Sequence, residues 1–531
     1  MADFDDKNKF PPTFESQQPE HDVDELSMGK GDLLGKEGVD PVLEAKMHLI
    51  NNAIDEIGMT RYQWKLFILN GFGYAVDSLI LLIQSIIAGY AQYEFNPSYD
   101  NGLTIAVYVG MLVGALFWGL SADVIGRKYA FNVSLLISSV FCIVAGASPN
   151  WIVLGLFTCL SAFGAGGNLV LDTAVFLEYL PSKDQWLLTL MAAWWGLGQL
   201  IAGLFAWAFL PNYSCPGYPS ETGVPCNWNT NPGWRYVWFA NGALVFVMSI
   251  LRITVIRLKE TPKFLVGEGK DAEVVETLQF IAKKYNKPCS LTLDQMEACG
   301  VTGAANNQRR GSVSAHAKSR FSFAEVWVHL KGLFVTKRLG LSTSLIWFSW
   351  LLIGLAYPLY NVFLPVYLKT RGAALGGLSQ SQQWRNYAIA NACSIPSPIL
   401  AGFMCRSKWF WGRRGTMIIG ALVTMAFFFA YTQVRNNDEN LGFTAAISFC
   451  LNIYYGTLYA YTPEVLPSAH RGTGNGVSIG LNRFMGIMSA VIATYADTST
   501  PVPIYICAAL YIAMAIVAAA FPFEPMGNRS S

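Results

Sequence analysis

The chain has 531 residues, of which 53% are hydrophobic and 14% are charged, and its formal net charge is +2. So few charges at this length exclude an ordinary soluble protein and a mainly disordered one, and they indicate a membrane protein. The near-neutral charge gives no reason to expect a nucleic-acid partner, and none is predicted.

Residues 1–58 are predicted to form an acidic cytosolic tail. They hold 14 acidic and 5 basic side chains, and they lack the apolar stretch of a signal peptide. This composition predicts disorder over most of the tail. Its last part, VLEAKMHLINNAIDEIG, has helical spacing and predicts a helix along the membrane or against the inner face of the protein.

Twelve apolar runs follow the tail, each near the length of about 20 residues that crosses a hydrocarbon core of about 30 Å. They lie near 66–90, 102–121, 129–147, 151–179, 186–210, 236–256, 341–367, 387–405, 416–433, 441–460, 473–495 and 502–521. The predicted fold class is therefore an all-α membrane protein with twelve transmembrane helices.

The distribution of basic residues predicts the orientation. The short loops hold eight Lys and Arg residues on the side of the N-terminus and five on the other side. The segment from Arg257 to Arg338 holds 14 basic and 8 acidic residues and no apolar span. By the positive-inside rule, both termini and this segment are predicted to be cytosolic.

Two short motifs recur at one spacing. GRK begins at Gly126 and GRR at Gly412, while EYLP begins at Glu178 and EVLP at Glu464, and both pairs are 286 residues apart. This repeat predicts two six-helix bundles. The predicted domains are the tail at 1–58, an N-terminal bundle at 59–256, a cytosolic central segment with short helices and a disordered stretch at 257–338, a C-terminal bundle at 339–521 and a cytosolic tail at 522–531.

Several stretches resemble one family of carriers. GLSADVIGRKYAF, at 119–131, resembles the loop signature between the second and third helices of the major facilitator superfamily, and KETPKFLVGEGKDAEVVETL, at 259–278, is similar to a segment of its sugar-porter branch. DEIGMTRYQWKLFILNGFGYAVDSL, GAGGNLVLDTAVFLEYLP and YTPEVLPSAHRGTGNG resemble the synaptic-vesicle-glycoprotein-related transporters and their fungal relatives. The resemblance implies two pseudo-symmetric bundles that transport by alternating access, with a substrate site where the bundles meet.

Three of the charged residues inside predicted spans are candidates for the transport site. Asp77 is about 11 residues into the first span, which places it about 16 Å deep, where an ionised Asp costs about 2.5–3.5 kcal/mol. We therefore predict that Asp77 carries a proton, with Asp172 of the fourth span as a second proton site. Arg483 of the eleventh span is predicted to pair with either acid or to bind an anionic substrate. Static ion pairs are the alternative for all three.

Uncharged polar side chains of the spans are candidates for binding the substrate. Gln199 in the fifth span and Asn361 in the seventh are preferred, although a single such residue more often bonds a neighbouring helix.

The loop motif and its repeat predict an inner gate. Asp123 is expected to cap a neighbouring helix, Arg127 to reach Glu178, and Arg413 or Arg414 to pair with Glu464. By resemblance, these pairs form a clamp that is closed while the cavity faces outward. A role in stability alone is the alternative.

The loops carry candidates for modification. Cys215 and Cys226 share an outer loop and are either disulfide-bonded or free. Asn212 begins an Asn-Tyr-Ser glycosylation sequon on the outer side. Ser312 follows two arginines in the central segment, and it is either a phosphorylation site or part of an unmodified linker.

The sequence thus predicts a secondary active transporter for a sugar or a carboxylate, coupled to protons as a symporter and functional as a monomer. A proton-coupled exporter of a secondary metabolite or drug-like compound is the alternative, and a non-transporting nutrient receptor is another. No ligand spacing among His and Cys indicates a metal, and no catalytic constellation indicates an enzyme, so no cofactor is predicted. The plasma membrane is the first choice of location, and a vacuolar or vesicular membrane is the second.

Overall fold

The computed structural model describes residues 41–125, 127–256, 260–300, 327, 330–375, 378–467, 470–495 and 502–525, without the side chains at 120, 122–125, 256, 361–375, 493, 494 and 503. Most of the predicted N-terminal tail, the end of the C-terminal tail and Ser312 therefore lie outside the described residues. The side chains of Asp123 and Asn361 also lie outside them.

Within the part of the chain that the structure describes, twelve helical segments form the membrane part, which confirms the predicted fold class. In chain order they are Arg61–Phe95, Gly102–Ile125, Arg127–Gly146, Trp151–Gly166 with Asn168–Tyr179, Leu187–Leu190 with Ala192–Tyr213, Gly233–Ile256, Lys337–Leu375, Gln380–Ala392 with Ser397–Arg406, Gly412–Tyr431, Asn437–Val465, Arg471–Tyr495 and Val502–Ala520. We number these membrane helices one to twelve. Within the described residues, the first ten are long and apolar enough to span a membrane by length and composition alone.

Several of these helices begin after a residue whose side chain caps the helix N-terminus. Thr60 accepts a hydrogen bond from the backbone at the start of the first helix, and Gln63 bonds back to the Thr60 backbone N–H at 3.0 Å. The side chains of Asn150 and Asn436 accept hydrogen bonds from backbone N–H groups at the starts of the fourth and tenth helices. Each cap satisfies backbone N–H groups that have no partner inside the helix.

The two halves repeat the same helix packing. The third helix packs on the fourth and sixth, and the first packs on the fifth. In the C-terminal half, the ninth helix packs on the tenth and twelfth, and the seventh packs on the eleventh. The halves meet along two seams, between the second and eleventh helices and between the fifth and eighth.

Small residues allow a close approach at the first seam. A Cβ placed on Gly119 of the second helix would lie only 3.3 Å from the Cα of Gly476 in the eleventh helix. The hydrophobic effect is weak between helices in lipid, so van der Waals contacts at such close crossings stabilise the helix pair instead. The inner part of this seam is therefore held shut in the described conformation.

A layer of short helices, predicted from the sequence to be cytosolic, lies under the N-terminal half. The helix Pro41–Ile57 packs on the short helices Pro262–Gly267 and Asp271–Lys284, and Lys46 binds Asp271 at 2.5 Å. Asp55 at the other end of this helix accepts hydrogen bonds from the backbone N–H and hydroxyl of Ser182, at 2.7 and 2.9 Å. The layer thus ties the segment before the first helix to the loop between the fourth and fifth.

Candidate substrate and proton site

The two halves share a buried ion pair between Asp77 of the first helix and Arg483 of the eleventh. One guanidinium nitrogen of Arg483, Nη2, lies 2.8 and 2.7 Å from the two carboxylate oxygens of Asp77. Asp77 is 0% exposed and Arg483 is 1% exposed, so neither charge is hydrated at the protein surface. Of the two partners predicted for Arg483, the structure brings it to Asp77.

Aromatic side chains from four helices surround this pair. The ring of Trp195 lies 4.6 Å from that of Tyr455, and Tyr455 stacks on Tyr459 at 5.1 Å. Trp350 meets Tyr459 edge-on at 4.5 Å, and Tyr74 lies 5.9 Å from the same ring. Tyr455 and Tyr459 also interact electrostatically with Arg483. We call these five residues the aromatic cluster.

Gln199 borders the cluster and bridges the two halves. Its side-chain nitrogen donates to the hydroxyl of Tyr357 in the seventh helix at 2.8 Å, and its oxygen accepts from Ser394 between the two parts of the eighth helix at 3.5 Å. This amide therefore lies at the interface between the two halves, and its partners there are protein groups. Asn361, the other predicted substrate residue, has no described side chain.

Contacts close the interface on both sides of the site. On the inner side, Asn475 donates to Thr173 at 3.4 Å, beside the crossing of the second and eleventh helices. On the outer side, Trp384 donates to the hydroxyl of Tyr90 at 3.2 Å, and Trp207 donates to Ser381 at 3.0 Å. Access to the central pair from either side requires some of these contacts to open.

A second buried ion pair lies entirely within the N-terminal half. Arg252 of the sixth helix donates to Asp172 of the fourth at 2.8 Å, and both side chains are fully buried. Arg252 also donates to the backbone carbonyls of Leu69 and Phe131, each at 3.1 Å. The guanidinium thereby joins the first, third, fourth and sixth helices.

The sequence pattern did not predict a functional role for Arg252. It is the fifth residue from the end of the sixth span, and an arginine there is typical of the basic residues that flank spans on the inner side. The available signal was that Asp172 needs a buried cation and that this arginine lies at a similar depth in the same half.

Gly73 makes room for this second pair. A Cβ at Gly73 would overlap the Oδ2 atom of Asp172 and would approach Arg252 Nη2 to 2.9 Å. Asp172 Oδ2 is itself buried and has no hydrogen-bond partner among the described residues. The first helix therefore carries one carboxylate, that of Asp77, and packs against the other, that of Asp172, at Gly73. The two acids interact electrostatically.

The predicted gate residues form one ion pair in each half. Arg127 at the start of the third helix contacts Glu178 at the end of the fourth. In the repeat, Arg413 binds both carboxylate oxygens of Glu464. Arg414 does not take part, since it instead donates to the backbone carbonyl of Ala519 at 2.6 Å.

The N-termini of the third and ninth helices share a second repeated feature, a carboxylate cap, which the sequence did not predict. The backbone N–H groups of Arg127 and Lys128 donate to Glu260 at 3.0 and 3.4 Å. Those of Arg413 and Arg414 donate to Glu524, both at 3.0 Å. A carboxylate thus caps each helix at the positive end of its dipole. The sequence did contain a sign of these caps. After the last span of each half, a glutamate lies one or two residues before a proline, in ETP and FEP.

The outer loop between the fifth and sixth helices contains a disulfide bond between Cys215 and Cys226. Asn212 lies just before it, at the exposed end of the fifth helix. The described residues contain no group of His, Cys, Asp and Glu that could hold a metal ion.

Two repeated six-helix halves with a charged pair buried between them define a membrane carrier. A model of the Major Facilitator Superfamily matches residues 66–490, and the chain belongs to this family. It is therefore a transport protein and not an enzyme.

Relatives and solved structures agree with this assignment. The "MFS siderochrome iron transporter 1" of Ceriporiopsis subvermispora is 41% identical, over 96% of this chain and 97% of its own length. A "Synaptic vesicle 2-related protein" of Pongo abelii is 23% identical, over 95% and 86%, and the "Niacin transporter NiaP" of Acinetobacter baylyi is 24% identical, over 83% and 89%. The predicted resemblance is thereby confirmed. The structure of the proton:xylose symporter XylE is similar in fold, with a TM-score of 0.61 and 16% identity, covering 88% of this chain and 98% of that one.

Proposed function

We propose that the protein is a proton-coupled secondary active transporter that carries a small organic carboxylate by alternating access. The observation that supports this most directly is the Asp77–Arg483 pair, because it is buried between the two halves that must move apart. A buried arginine that binds one carboxylate through a single nitrogen, Nη2, has further N–H donors for a second, incoming carboxylate.

The aromatic cluster favours a solute with a flat or apolar body. Trp195, Tyr455 and Tyr459 offer ring faces beside Arg483, and rings of a substrate gain about 0.5–1.5 kcal/mol from such contacts beyond their buried area. One relative is named a niacin transporter, and niacin is a ring that bears a carboxylate. Gln199 adds a donor and an acceptor at the edge of the cluster.

Exchange of partners at Arg483 supplies the coupling. When a substrate carboxylate binds Arg483, Asp77 loses its counter-ion in a site without solvent contact. An unpaired buried carboxylate is costly, so uptake of a proton by Asp77 accompanies substrate binding. Each carboxylate therefore travels with a proton, and release of the substrate lets Asp77 ionise and return to Arg483.

Asp172 is the second proposed proton site. It interacts electrostatically with Asp77, but its own cation, Arg252, lies in the same half. We assign it a supporting role in coupling. The ion pairs Arg127–Glu178 and Arg413–Glu464 form the proposed inner gate, together with Asp123 of the loop motif.

The test is uptake into proteoliposomes of purified protein with and without an inward proton gradient. Labelled nicotinate, a dicarboxylate, a hexose and an organic amine serve as the substrate panel. Accumulation of a carboxylate driven by the gradient is expected. Uptake of the hexose alone would contradict the carboxylate proposal and would indicate a proton-coupled sugar carrier. The absence of counterflow for every solute would indicate a non-transporting receptor.

The Asp77→Asn variant separates coupling from translocation. Because asparagine carries no ionisable proton, this variant should lose gradient-driven accumulation while it still exchanges substrate in counterflow. Unaltered accumulation in Asp77→Asn would contradict the proposed proton site. Asn452 lies in the tenth helix, where its side-chain nitrogen donates to the carbonyl of Ser448 at 2.9 Å. Asn452→Asp serves as a control that adds an acid at this position, and it should not restore the lost accumulation in the double variant.

A further inference from the structure

A cavity of about 610 Å³ lies at the cytosolic end of the first helix, far along that helix from the Asp77 site. One wall is the start of the first helix, including Arg61 and Trp64. The other wall is the end of the cytosolic helix Asp271–Lys284 and the turn after it, including Lys284 and Lys287. The cavity therefore lies between a membrane helix and the cytosolic layer beneath it.

The local backbone brings the two lysines together. Asn286 adopts a left-handed conformation, with φ of 52°, and the backbone N–H of Lys287 donates back to the carbonyl of Ala282 at 2.9 Å. This reversal is a common way to end a helix, and it turns Lys287 toward the last helical turn. Lys284 also lies over the rings of Phe280 and Tyr285, at 5.6 and 5.9 Å.

The cavity is positively charged. Arg61, Lys284 and Lys287 are all exposed, and among the described residues no carboxylate lines the cavity. The nearby carboxylate of Glu56 accepts hydrogen bonds from the backbone N–H and hydroxyl of Ser290, at 2.7 and 2.8 Å. Three cations in the lining of one cavity, with no carboxylate among the described lining residues, are suited to an anion that carries more than one negative charge.

The cavity is at the level of the inner lipid headgroups. Trp64 is 48% exposed where the first helix enters its apolar part, a position typical of the aromatic belt at a membrane surface. Arg61 and Lys65 are four residues apart and therefore project from the same face of the helix. A phospholipid whose acyl chains lie along this face can place its headgroup in the cavity.

We propose that this cavity binds the headgroup of an anionic phospholipid of the inner leaflet and that a headgroup with several phosphates binds best. Arg61 and the two lysines contact the phosphates, while Trp64 contacts the glycerol and upper acyl region. The lipid thereby joins the first membrane helix to the cytosolic layer. This inference does not depend on the identity of the transported solute.

Native mass spectrometry of the purified full chain in detergent tests the proposal. The protein is incubated with equal amounts of phosphatidylcholine, phosphatidylserine and phosphatidylinositol bisphosphate. The inositol lipid should give the most abundant adduct. In the triple variant Arg61→Gln/Lys284→Gln/Lys287→Gln this adduct should fall by about tenfold or more, since each basic residue near an anionic headgroup adds to its binding.

A matched control removes the same charge elsewhere on the cytosolic surface. Lys270, Lys283 and Lys408 are exposed and do not line the cavity, so their triple Gln variant should retain the adduct. An equal loss in this control would overturn the proposal, because it would show attraction to net surface charge alone. An unchanged adduct in the first triple variant would also overturn it.

Soluble inositol trisphosphate distinguishes a lipid from a free phosphate compound. The acyl chains are expected to add to binding, so the soluble compound should displace the lipid only at large excess. Binding of the soluble compound without any lipid adduct would overturn the assignment to a lipid. If the triple variant is not obtained folded, the single charge reversal Lys287→Glu provides the same comparison at an exposed position.

Discussion

The two buried ion pairs of the bundle differ in which parts of the protein they join. Asp77 and Arg483 belong to opposite halves, whereas Asp172 and Arg252 belong to the same half. Arg252 has further acceptors in two backbone carbonyls, and Asp172 is covered by the first helix at Gly73. Arg483 has its described hydrogen bonds to Asp77 alone.

In the proposed cycle, the first pair exchanges partners and the second can stay intact. Alternating access would move the halves relative to each other, so the Asp77–Arg483 pair, which joins them, would be strained or broken during each cycle. The Asp172–Arg252 pair moves with its own half as one body. Removal of one arginine should lower stability at either pair, because each leaves a buried carboxylate unpaired, but it should abolish transport by the folded protein only at the first pair.

The largest effect is expected from the matched substitutions Arg483→Gln and Arg252→Gln. Arg483→Gln should abolish carboxylate uptake by folded protein, because the substrate loses its cation. Arg252→Gln should lower the free energy of unfolding by roughly 3–5 kcal/mol, since it leaves a buried carboxylate unpaired. Uptake per folded protein and thermal denaturation in detergent measure the two effects. Equal effects of both variants on both readouts would remove the distinction between the pairs.

A smaller effect is expected from Gly73→Ala. The added methyl group must displace Asp172 from Gly73, and overpacking of this kind costs about 1–3 kcal/mol. Gly89 lies in the same helix with open space around its Cβ position, so Gly89→Ala is the control. Gly89→Ala should leave the thermal denaturation midpoint unchanged or slightly raised. A Gly73→Ala midpoint equal to that of the control would contradict the packing described for Asp172.

The inner gate offers a comparison between adjacent arginines. Arg413→Gln breaks the buried pair with Glu464 and should shift the balance between inward-facing and outward-facing states by roughly 0.5–2 kcal/mol. Arg414→Gln should shift it less, because Arg414 contacts a backbone carbonyl near the end of the twelfth helix. Labelling of a single cysteine introduced in the inner half of the fifth helix reports this balance. The proposal for the gate fails if both variants label at the wild-type rate.

The smallest functional effect is expected from loss of the sequon at Asn212. If this exposed asparagine is glycosylated, Asn212→Gln and Ser214→Ala should both increase gel mobility to the position of enzymatically deglycosylated protein. Uptake should stay unchanged, because Asn212 lies outside the central site. An identical mobility of wild-type and variant protein would show that the sequon is unmodified.

The amino-acid sequence by itself determined the number of spans, the repeat and the resemblance to the family. Apolar length, the positive-inside bias and the repeated motifs are local properties of the chain. The apolar runs must be helices, because in lipid every backbone polar group of a span has to be satisfied within the helix. The sequence also identified Asp77, Arg483 and the gate acids as candidates, since charge in a span is costly wherever the helix packs.

Only the tertiary structure decided which charges are partners. The sequence allowed Arg483 to pair with Asp77 or Asp172, and Glu464 to pair with Arg413 or Arg414.

In the structure, the rotation of the helices places Asp77 beside Arg483 and Arg413 beside Glu464. Arg252, Glu260 and Glu524 act across separations of 80 to 133 residues, and no periodicity of the sequence encodes such contacts. An ion pair depends on rotation and depth to within a few ångströms, and these are set by the packing of all the helices together.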